Sequence, residues 1–192
     1  MFDEPLGALD RVLRQILLDQ LRLILHQTGL PAVYVTHDQD EAFTIADRVL
    51  LLHGGEIVRA GTTPEVWLHP GSAWAAEFLG IGNVISGKVI QRGRKVETEY
   101  GDIAVRCAHD HKMGDVVHLL ARPVRAGVAD SSQDERLVSG KPESVIHDRV
   151  VDVTFERDVF KVRLEHGLNI YLPKAPKLGQ KIKARFEIEC LG

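Results

Sequence analysis

The chain has 192 residues, of which 44% are hydrophobic and 27% are charged, a composition typical of folded globular proteins. No apolar run approaches the roughly 20 residues that span a bilayer, so the sequence predicts no membrane-spanning helix. Cys107 and Cys190 are the only cysteines, too few for a disulfide framework. We interpret them as buried thiols in a reducing compartment.

The net charge of −3 conceals an asymmetry between the two parts of the chain. Residues 1–80 carry five arginines and no lysine against 11 acidic residues, a net charge of −6. Residues 81–192 carry 19 basic and 16 acidic side chains, a net charge of +3. If the first segment handles a polyphosphate, the cations for it must come from elsewhere.

The first part of the chain predicts alternating helices and strands. Helical spacing of apolar residues predicts an amphipathic helix over residues 11–28, which Gly29 ends. Residues 32–36 form a short β-branched run, typical of a parallel strand that is covered on both faces. Asp38 and Glu41 predict a capping box that starts a second helix, ending at Ala46. The helix positions that we assign to the core are Leu13, Ile16, Leu17 and Leu21.

Residues 48–60 predict a hairpin around a Gly-Gly turn, followed by short helices over 64–68 and 72–79. Residues 80–82 have the composition of a linker. Beyond them, short strands alternate with glycine-containing turns, and we predict turns at Gly87, Gly101, Gly114, Gly167 and Gly179.

The second part of the chain contains a degenerate repeat. Val84–Ile90 matches Val145–Val151 at an offset of 61 residues, and Lys112–Val116 matches Lys177–Lys181 at an offset of 65. This pattern indicates two similar all-β units that pack together and share one core or a tight interface.

The candidate catalytic residues lie near the start of the chain. Asp3 and Glu4 directly follow a short apolar run, and the helix over 11–28 then leads to the strand over 32–36. A parallel βαβ unit brings the carboxyl ends of both strands to one edge, so Asp3, Glu4 and His37 should meet there. Two carboxylates and an imidazole suit phosphoryl transfer.

These motifs carry a resemblance to a known family. Asp3–Asp10 resembles the Walker B motif and D-loop of ABC-transporter ATPases, Val35–Ala42 resembles their switch-histidine segment, and Asp47–Pro64 resembles the segment that ends their ATPase domain. The resemblance implies part of an α/β P-loop NTPase domain at residues 1–80. It implies an all-β TOBE-like domain of two OB-type half barrels at residues 82–192, as in importers for ferric iron, spermidine, maltose or sulfate.

The resemblance also implies roles for individual residues. Asp3 would support Mg²⁺, Glu4 would be the catalytic base, and His37 would contact the γ-phosphate of ATP. Asp10 would contribute to nucleotide binding from a D-loop that faces a second copy of the subunit. The implied cofactors, ATP and Mg²⁺, belong to the complete protein.

The implied partners are a second ATPase subunit, transmembrane permease subunits and, indirectly, a periplasmic or surface solute-binding protein. The expected location is therefore the cytoplasmic face of the membrane.

Two other interpretations of the function compete with this one. A stand-alone regulatory or ligand-sensing module is one; an OB-type nucleic-acid binder is the weaker one, because the surface aromatics are few and the charge excess is small. His109-Asp110-His111 resembles a metal motif, but we interpret it as a solvated loop.

We expect the 192-residue chain by itself neither to bind ATP tightly nor to hydrolyse it. The family's lysine-bearing phosphate loop, glutamine loop and Ser-Gly-Gly signature are not found before Asp3, and an acidic edge without them repels polyphosphate. Calorimetry and a phosphate-release assay test this expectation. Micromolar ATP affinity together with steady phosphate release that Glu4→Gln removes would contradict it.

Overall fold

The computed structural model describes residues 1–107, 109–124 and 143–191. The chain forms two compact units, Met1–Pro70 and Gly71–Gly192. The linker-like residues 80–82 lie inside the second unit, because the helix before them packs on the strands that follow. None of the helices in the described ranges is long and apolar enough to cross a bilayer. The predicted β domain also includes residues 108, 125–142 and 192, which are outside the described residues.

The first unit contains one parallel strand pair and one hairpin. Strand β1 pairs in parallel with β2, and α1 connects them, which confirms the predicted βαβ unit. Strands β3 and β4 form the predicted antiparallel hairpin. The elements in chain order are β1 (Phe2–Asp3), α1 (Arg11–Thr28), β2 (Tyr34–Val35), α2 (Gln39–Ile45), β3 (Arg48–His53), β4 (Glu56–Thr62) and α3 (Thr63–Leu68).

Helix α1 has the predicted bounds but not the predicted core. Gly29 ends it in the left-handed conformation, with φ 65°, which glycine adopts without steric cost. Leu18 is its fully buried residue, whereas Leu13 and Ile16 are 42% and 49% exposed. The prediction for these two side chains is wrong because α1 packs mainly against α2, and two-residue strands cover little of its surface.

The start of α2 also differs from the prediction. Asp38 is its N-cap, and the Asp38 side chain accepts a hydrogen bond from the Glu41 amide. The Glu41 side chain does not return to the Asp38 amide as a capping box requires. It accepts hydrogen bonds from the side chains of Tyr34 and Thr36 instead, because β2 brings those hydroxyl groups within reach. Strand β2 is also less covered than predicted, since Val35 is exposed.

In its described residues, the second unit consists of one short helix and an eight-stranded sheet. The sheet order is β11-β10-β9-β12-β8-β5-β6-β7, and every neighbouring pair is antiparallel. Strand β7 contacts β9 and β11 contacts β8, so the sheet curls. The elements are α4 (Ala73–Phe78), β5 (Asn83–Gln91), β6 (Lys95–Thr98), β7 (Gly101–Ala104), β8 (Val116–Pro123), β9 (Glu143–Glu156), β10 (Val159–Leu164), β11 (Asn169–Leu172) and β12 (Lys181–Leu191).

The matching sequence segments occupy corresponding places in this sheet. Strands β5 to β8 and strands β9 to β12 have the same connectivity, and the two halves join where β8 pairs with β12. The turns that precede β8 and β12 are also alike. The Gly114 amide donates to Val89 O and the Gly179 amide donates to Val150 O, each at 2.8 Å. The interpretation of each half as an OB-type half barrel stays a prediction.

The two halves share one hydrophobic core, which contains Val89 and Leu119 from the first half and Val150 and Phe186 from the second. Gly87 corrects the sequence interpretation, because it lies within β5 and not in a turn. A Cβ atom there would lie 2.4 Å from Val96 Cγ1 and 2.7 Å from Glu97 O. Glycine at this position therefore lets β6 approach β5 closely.

Asn83 joins three parts of the second unit. Its side chain is buried, and Nδ2 donates to Ala121 O at 3.2 Å and to Asn169 O at 3.0 Å. Its Oδ1 accepts from the Asn169 amide at 2.7 Å. These bonds tie β5 to β8 and to the start of β11.

We expect Asn83→Ala to lower the free energy of unfolding of the second unit by about 1–3 kcal/mol, because it leaves buried backbone groups unpaired. Urea unfolding followed by circular dichroism measures the change. Gln91→Ala is the matched control, since Gln91 is exposed on the same strand. Equal stability of the two variants would refute the role of Asn83.

Candidate functional site

The parallel pairing of β1 with β2 forms the edge at which the predicted site residues lie. Phe2 is aligned with Tyr34, and Asp3 with Val35. The Glu4 amide continues the ladder by donating to Val35 O at 2.9 Å. Both strands therefore end at the same level, and the residues that follow them in the chain are brought together.

Glu4 and His37 are in direct contact at this edge. His37 Nδ1 lies 2.7 Å from Glu4 Oε1, at the distance of a charge-assisted hydrogen bond. The hydrogen bond from Glu4, and then its negative charge, raise the pKa of His37 above its ordinary value. The two side chains are 52% and 78% exposed, so solvent screens the pair and it contributes little to stability. Its effect is to orient both groups and to place a proton between them.

The backbone at Glu4 has an unusual conformation. Its φ is 42°, in the left-handed region that residues with a Cβ atom rarely adopt. Such a conformation costs about 1–2 kcal/mol and persists only where the surroundings impose it. Here the ladder bond of the Glu4 amide and the turn bond from the Gly7 amide to Glu4 O, 3.3 Å long, hold it. Strain of this kind clusters at functional sites.

Asp3 and Asp10 have different surroundings. Asp3 is exposed at the end of β1, beside Glu4. Asp10 caps α1, because its Oδ1 accepts from the amides of Val12 and Leu13 at 3.0 and 3.1 Å. Asp10 thus has a local structural role that the sequence analysis did not predict, and its part in nucleotide binding stays a prediction.

Arg14 is a residue of this region that the sequence analysis missed. Its Nη1 donates to Asp38 Oδ2 at 3.1 Å, and its Nη2 donates to Leu9 O at 2.9 Å. Its Nε lies 3.5 Å from Glu41 Oε1. Arg14 therefore fastens the loop after β1 to the start of α2. An arginine on an amphipathic helix gives no sequence signal for such a role, because its partners come from two other segments.

Glu41 is the buried centre of the same network. Its Oε2 accepts from Tyr34 Oη and from Thr36 Oγ1, both at 2.9 Å. Burial, and then the hydrogen bond to Glu41, raise the pKa of Tyr34 above its ordinary value. The Asp38 amide donates to Thr36 Oγ1 at 3.0 Å. The residues on both sides of His37 are thus fixed, which limits where its ring can point.

The edge of β1 and β2 carries carboxylates, but these do not form a complete set of metal ligands. Mg²⁺ is bound in proteins by one or two carboxylates together with phosphate oxygens and water, so an exposed Asp3 has the right chemistry for it. In the described part of the chain, one group of three or more His, Cys, Asp or Glu side chains is close enough to share an ion. That group lies in the second unit and includes His111. His111 is half-buried there, which corrects the interpretation of its loop as fully solvated.

We expect Glu4→Gln to lower the pKa of His37, because the variant removes the carboxylate that stabilises the imidazolium. An NMR titration of the His37 ring protons in the two chains measures the change. Glu56→Gln is the control, since it removes an exposed carboxylate of the β3–β4 hairpin. An unchanged titration midpoint in Glu4→Gln would mean that the contact does not persist in solution.

No family model matches the chain, but several curated proteins are similar to it. The Fe(3+) ions import ATP-binding protein FbpC of Streptomyces avermitilis is 40% identical over 189 residues, which cover 98% of this chain and 52% of that protein. The Sulfate/thiosulfate import ATP-binding protein CysA 2 of Agrobacterium fabrum is 39% identical over 160 residues, covering 83% of this chain and 43% of that protein.

The Spermidine/putrescine import ATP-binding protein PotA of Thermotoga maritima is 39% identical over 137 residues, covering 67% of this chain and 36% of that protein. The chain thus spans about half the length of these relatives, or less. Over most of its own length, its homologues are ATP-binding subunits of ABC importers.

Proposed function

We propose that this chain supplies the water-activating part of the nucleotide site of an ABC importer's ATP-binding subunit. The observation that carries the proposal is the 2.7 Å contact between Glu4 and His37 at the shared edge of two parallel strands. Relatives named for the import of ferric iron, spermidine/putrescine and sulfate/thiosulfate support the same class of protein. The resemblance of Asp3–Asp10 to a Walker B motif with its D-loop agrees with it.

Glu4 is the general base in this proposal. Its carboxylate is exposed to water, is held by a strained backbone, and has an imidazole on one oxygen. A carboxylate in that setting can accept a proton from an attacking water while its second oxygen stays oriented. His37 keeps Glu4 in place and presents the rest of its ring towards the reacting phosphate. Both side chains extend from the same strand edge, so they act on the same group.

Asp3 is the residue that would hold Mg²⁺, next to the base. Bound Mg²⁺ with ATP supplies charge neutralisation at the transferred phosphoryl group. The chain's own task is to provide the carboxylate at a fixed distance from Glu4, which consecutive positions at the end of β1 ensure. Binding of the remaining phosphate oxygens is assigned to other parts of the subunit, because residues 1–80 contain no lysine.

Arg14 links this site to the surface that would face a second ATPase subunit. It binds Leu9 O in the loop after β1 and Asp38 at the start of α2. A displacement of that loop by a partner subunit would therefore be transmitted to the residue next to His37. In a homodimer, this connection would make hydrolysis depend on the partner.

The eight-stranded unit takes the regulatory role in this proposal, as a TOBE-like domain. It would act from the cytoplasmic face of the membrane, where permease subunits receive the ATPase and a solute-binding protein delivers the solute. None of the proposed catalytic residues belongs to it.

The test is a chimera in which residues 1–192 replace the matching half of the Streptomyces avermitilis relative. We expect the chimera to hydrolyse ATP. Glu4→Gln and His37→Ala should each lower the steady-state rate by about 100-fold or more, the contribution of a positioned base or its partner. ATP binding should remain, since His37 would reach only the γ-phosphate and binding of the remaining phosphate oxygens is assigned to other parts of the subunit.

Glu56→Gln in the same chimera is the control, and it should hydrolyse ATP like the unmodified chimera. Activity of Glu4→Gln within a few-fold of that control would rule out the assignment of Glu4 as the base. Loss of ATP binding in the His37→Ala chimera would instead assign His37 to nucleotide binding.

A further inference from the structure

Four potential metal ligands converge at one end of the second unit, far along the chain from the site described above. Cys107, His109 and His111 lie in the connection between β7 and β8, and Cys190 lies near the end of β12. Cys190 is separated from His111 by 79 residues. The sheet brings them together because β12 pairs with β8, with Cys190 aligned to Leu119.

The ligand atoms have the spacing of a tetrahedral site. One atom from each side chain lies within 4.8 Å of every other. Cys107 Sγ is 3.3 Å from His109 Nδ1, and Cys190 Sγ is 3.6 Å from His111 Nε2. Zinc binds thiolate at about 2.3 Å and imidazole at about 2.0–2.1 Å, so tetrahedral ligands lie about 3.3–3.8 Å from one another. A small contraction of the cluster satisfies that geometry.

The connection that carries three of the ligands is fixed on both sides. Before it, the Val105 amide donates to Arg94 O at 2.9 Å. After it, the Val89 amide donates to Asp115 O at 2.9 Å. Between the two histidines, Asp110 forms an ion pair with Arg92. The ligands are therefore held by neighbouring strands rather than by a free loop, which lowers the entropy that binding an ion would cost.

The repeat shows that the fold does not require these residues. The equivalent connection in the second half runs from β11 to the turn at Lys177, and its residues 173–176 read Pro-Lys-Ala-Pro. It contains no cysteine or histidine, yet the following turn has the same hydrogen bonds as its counterpart in the first half. The cysteine and histidines are thus additional to what the architecture needs.

From these observations we infer that Cys107, His109, His111 and Cys190 form a zinc site. Two thiolates and two neutral imidazoles make a Cys₂His₂ set, the chemistry and coordination number of structural zinc. The two thiolate charges balance the dication, so the assembled site is neutral. Neutrality matters because the recess behind it is lined by Val89, Val96, Val105 and Val117, which would penalise an unbalanced charge.

The test uses the full 192-residue chain, reduced and freed of metal with a chelator that is then removed. Titration with Zn²⁺ against a chromophoric competitor should show one ion per chain, and Co²⁺ should give the thiolate charge-transfer and intense visible bands of tetrahedral coordination. Cys107→Ser and His109→Ala should each weaken zinc binding by about 100-fold or more, since even an outer-shell change costs 10- to 100-fold.

His109 is exposed, so His109→Ala should leave the fold intact, and circular dichroism verifies this. The matched control is His147→Ala, because His147 is an exposed histidine on β9 of the same unit. Zinc binding that is equal in His109→Ala and His147→Ala would overturn the inference. So would a folded, reduced chain that binds no zinc. These readouts do not involve ATP and are independent of the proposed function.

Discussion

The short parallel ladder between β1 and β2 sets the positions of Asp3, Glu4 and His37 in the candidate nucleotide site. It extends through the Glu4 amide, which binds Val35 O, and this bond fixes where the Glu4 side chain leaves the strand. Across the ladder, His37 follows β2 at the matching level. Without this register the carboxylate and the imidazole would belong to unrelated loops. A one-residue slip of the ladder would turn each side chain to the opposite face.

A network of hydrogen bonds and ion pairs around Glu41 supports the ladder. Glu41 is buried beside the ladder and accepts hydrogen bonds from Tyr34 and Thr36, while Arg14 connects it to the loop after β1. The exposed pair of the candidate site is thus positioned by a network whose centre, Glu41, is buried, while Arg14, Tyr34 and Thr36 are partly exposed. Such a division suits a site that must be open to water and still keep its geometry.

The bounds of the helices and strands could be predicted from the sequence better than the burial of their side chains. The bounds of α1 follow from local signals, the helical spacing of its apolar residues and the glycine at residue 29 that ends it in the left-handed conformation. The exposure of Leu13 does not follow from local signals, because it depends on what packs against the helix. Glu41 shows the same limit, since its spacing from Asp38 is that of a capping box but its hydrogen-bond partners are Tyr34 in β2 and Thr36 just after β2. The approach of β6 to Gly87 is likewise a tertiary constraint without a local signal.

The position of β12 in the sheet has a consequence for how the second unit folds during synthesis. This strand comes last in the described chain, yet it lies in the middle of the sheet, between β9 and β8. On the ribosome, the first half can assemble its own strands early, but the edge of β8 stays unpaired until β12 emerges. The shared core closes only then, through contacts of long sequence separation, which fold slowly. During synthesis the open edge of β8 is therefore a surface at which pairing with other chains can occur.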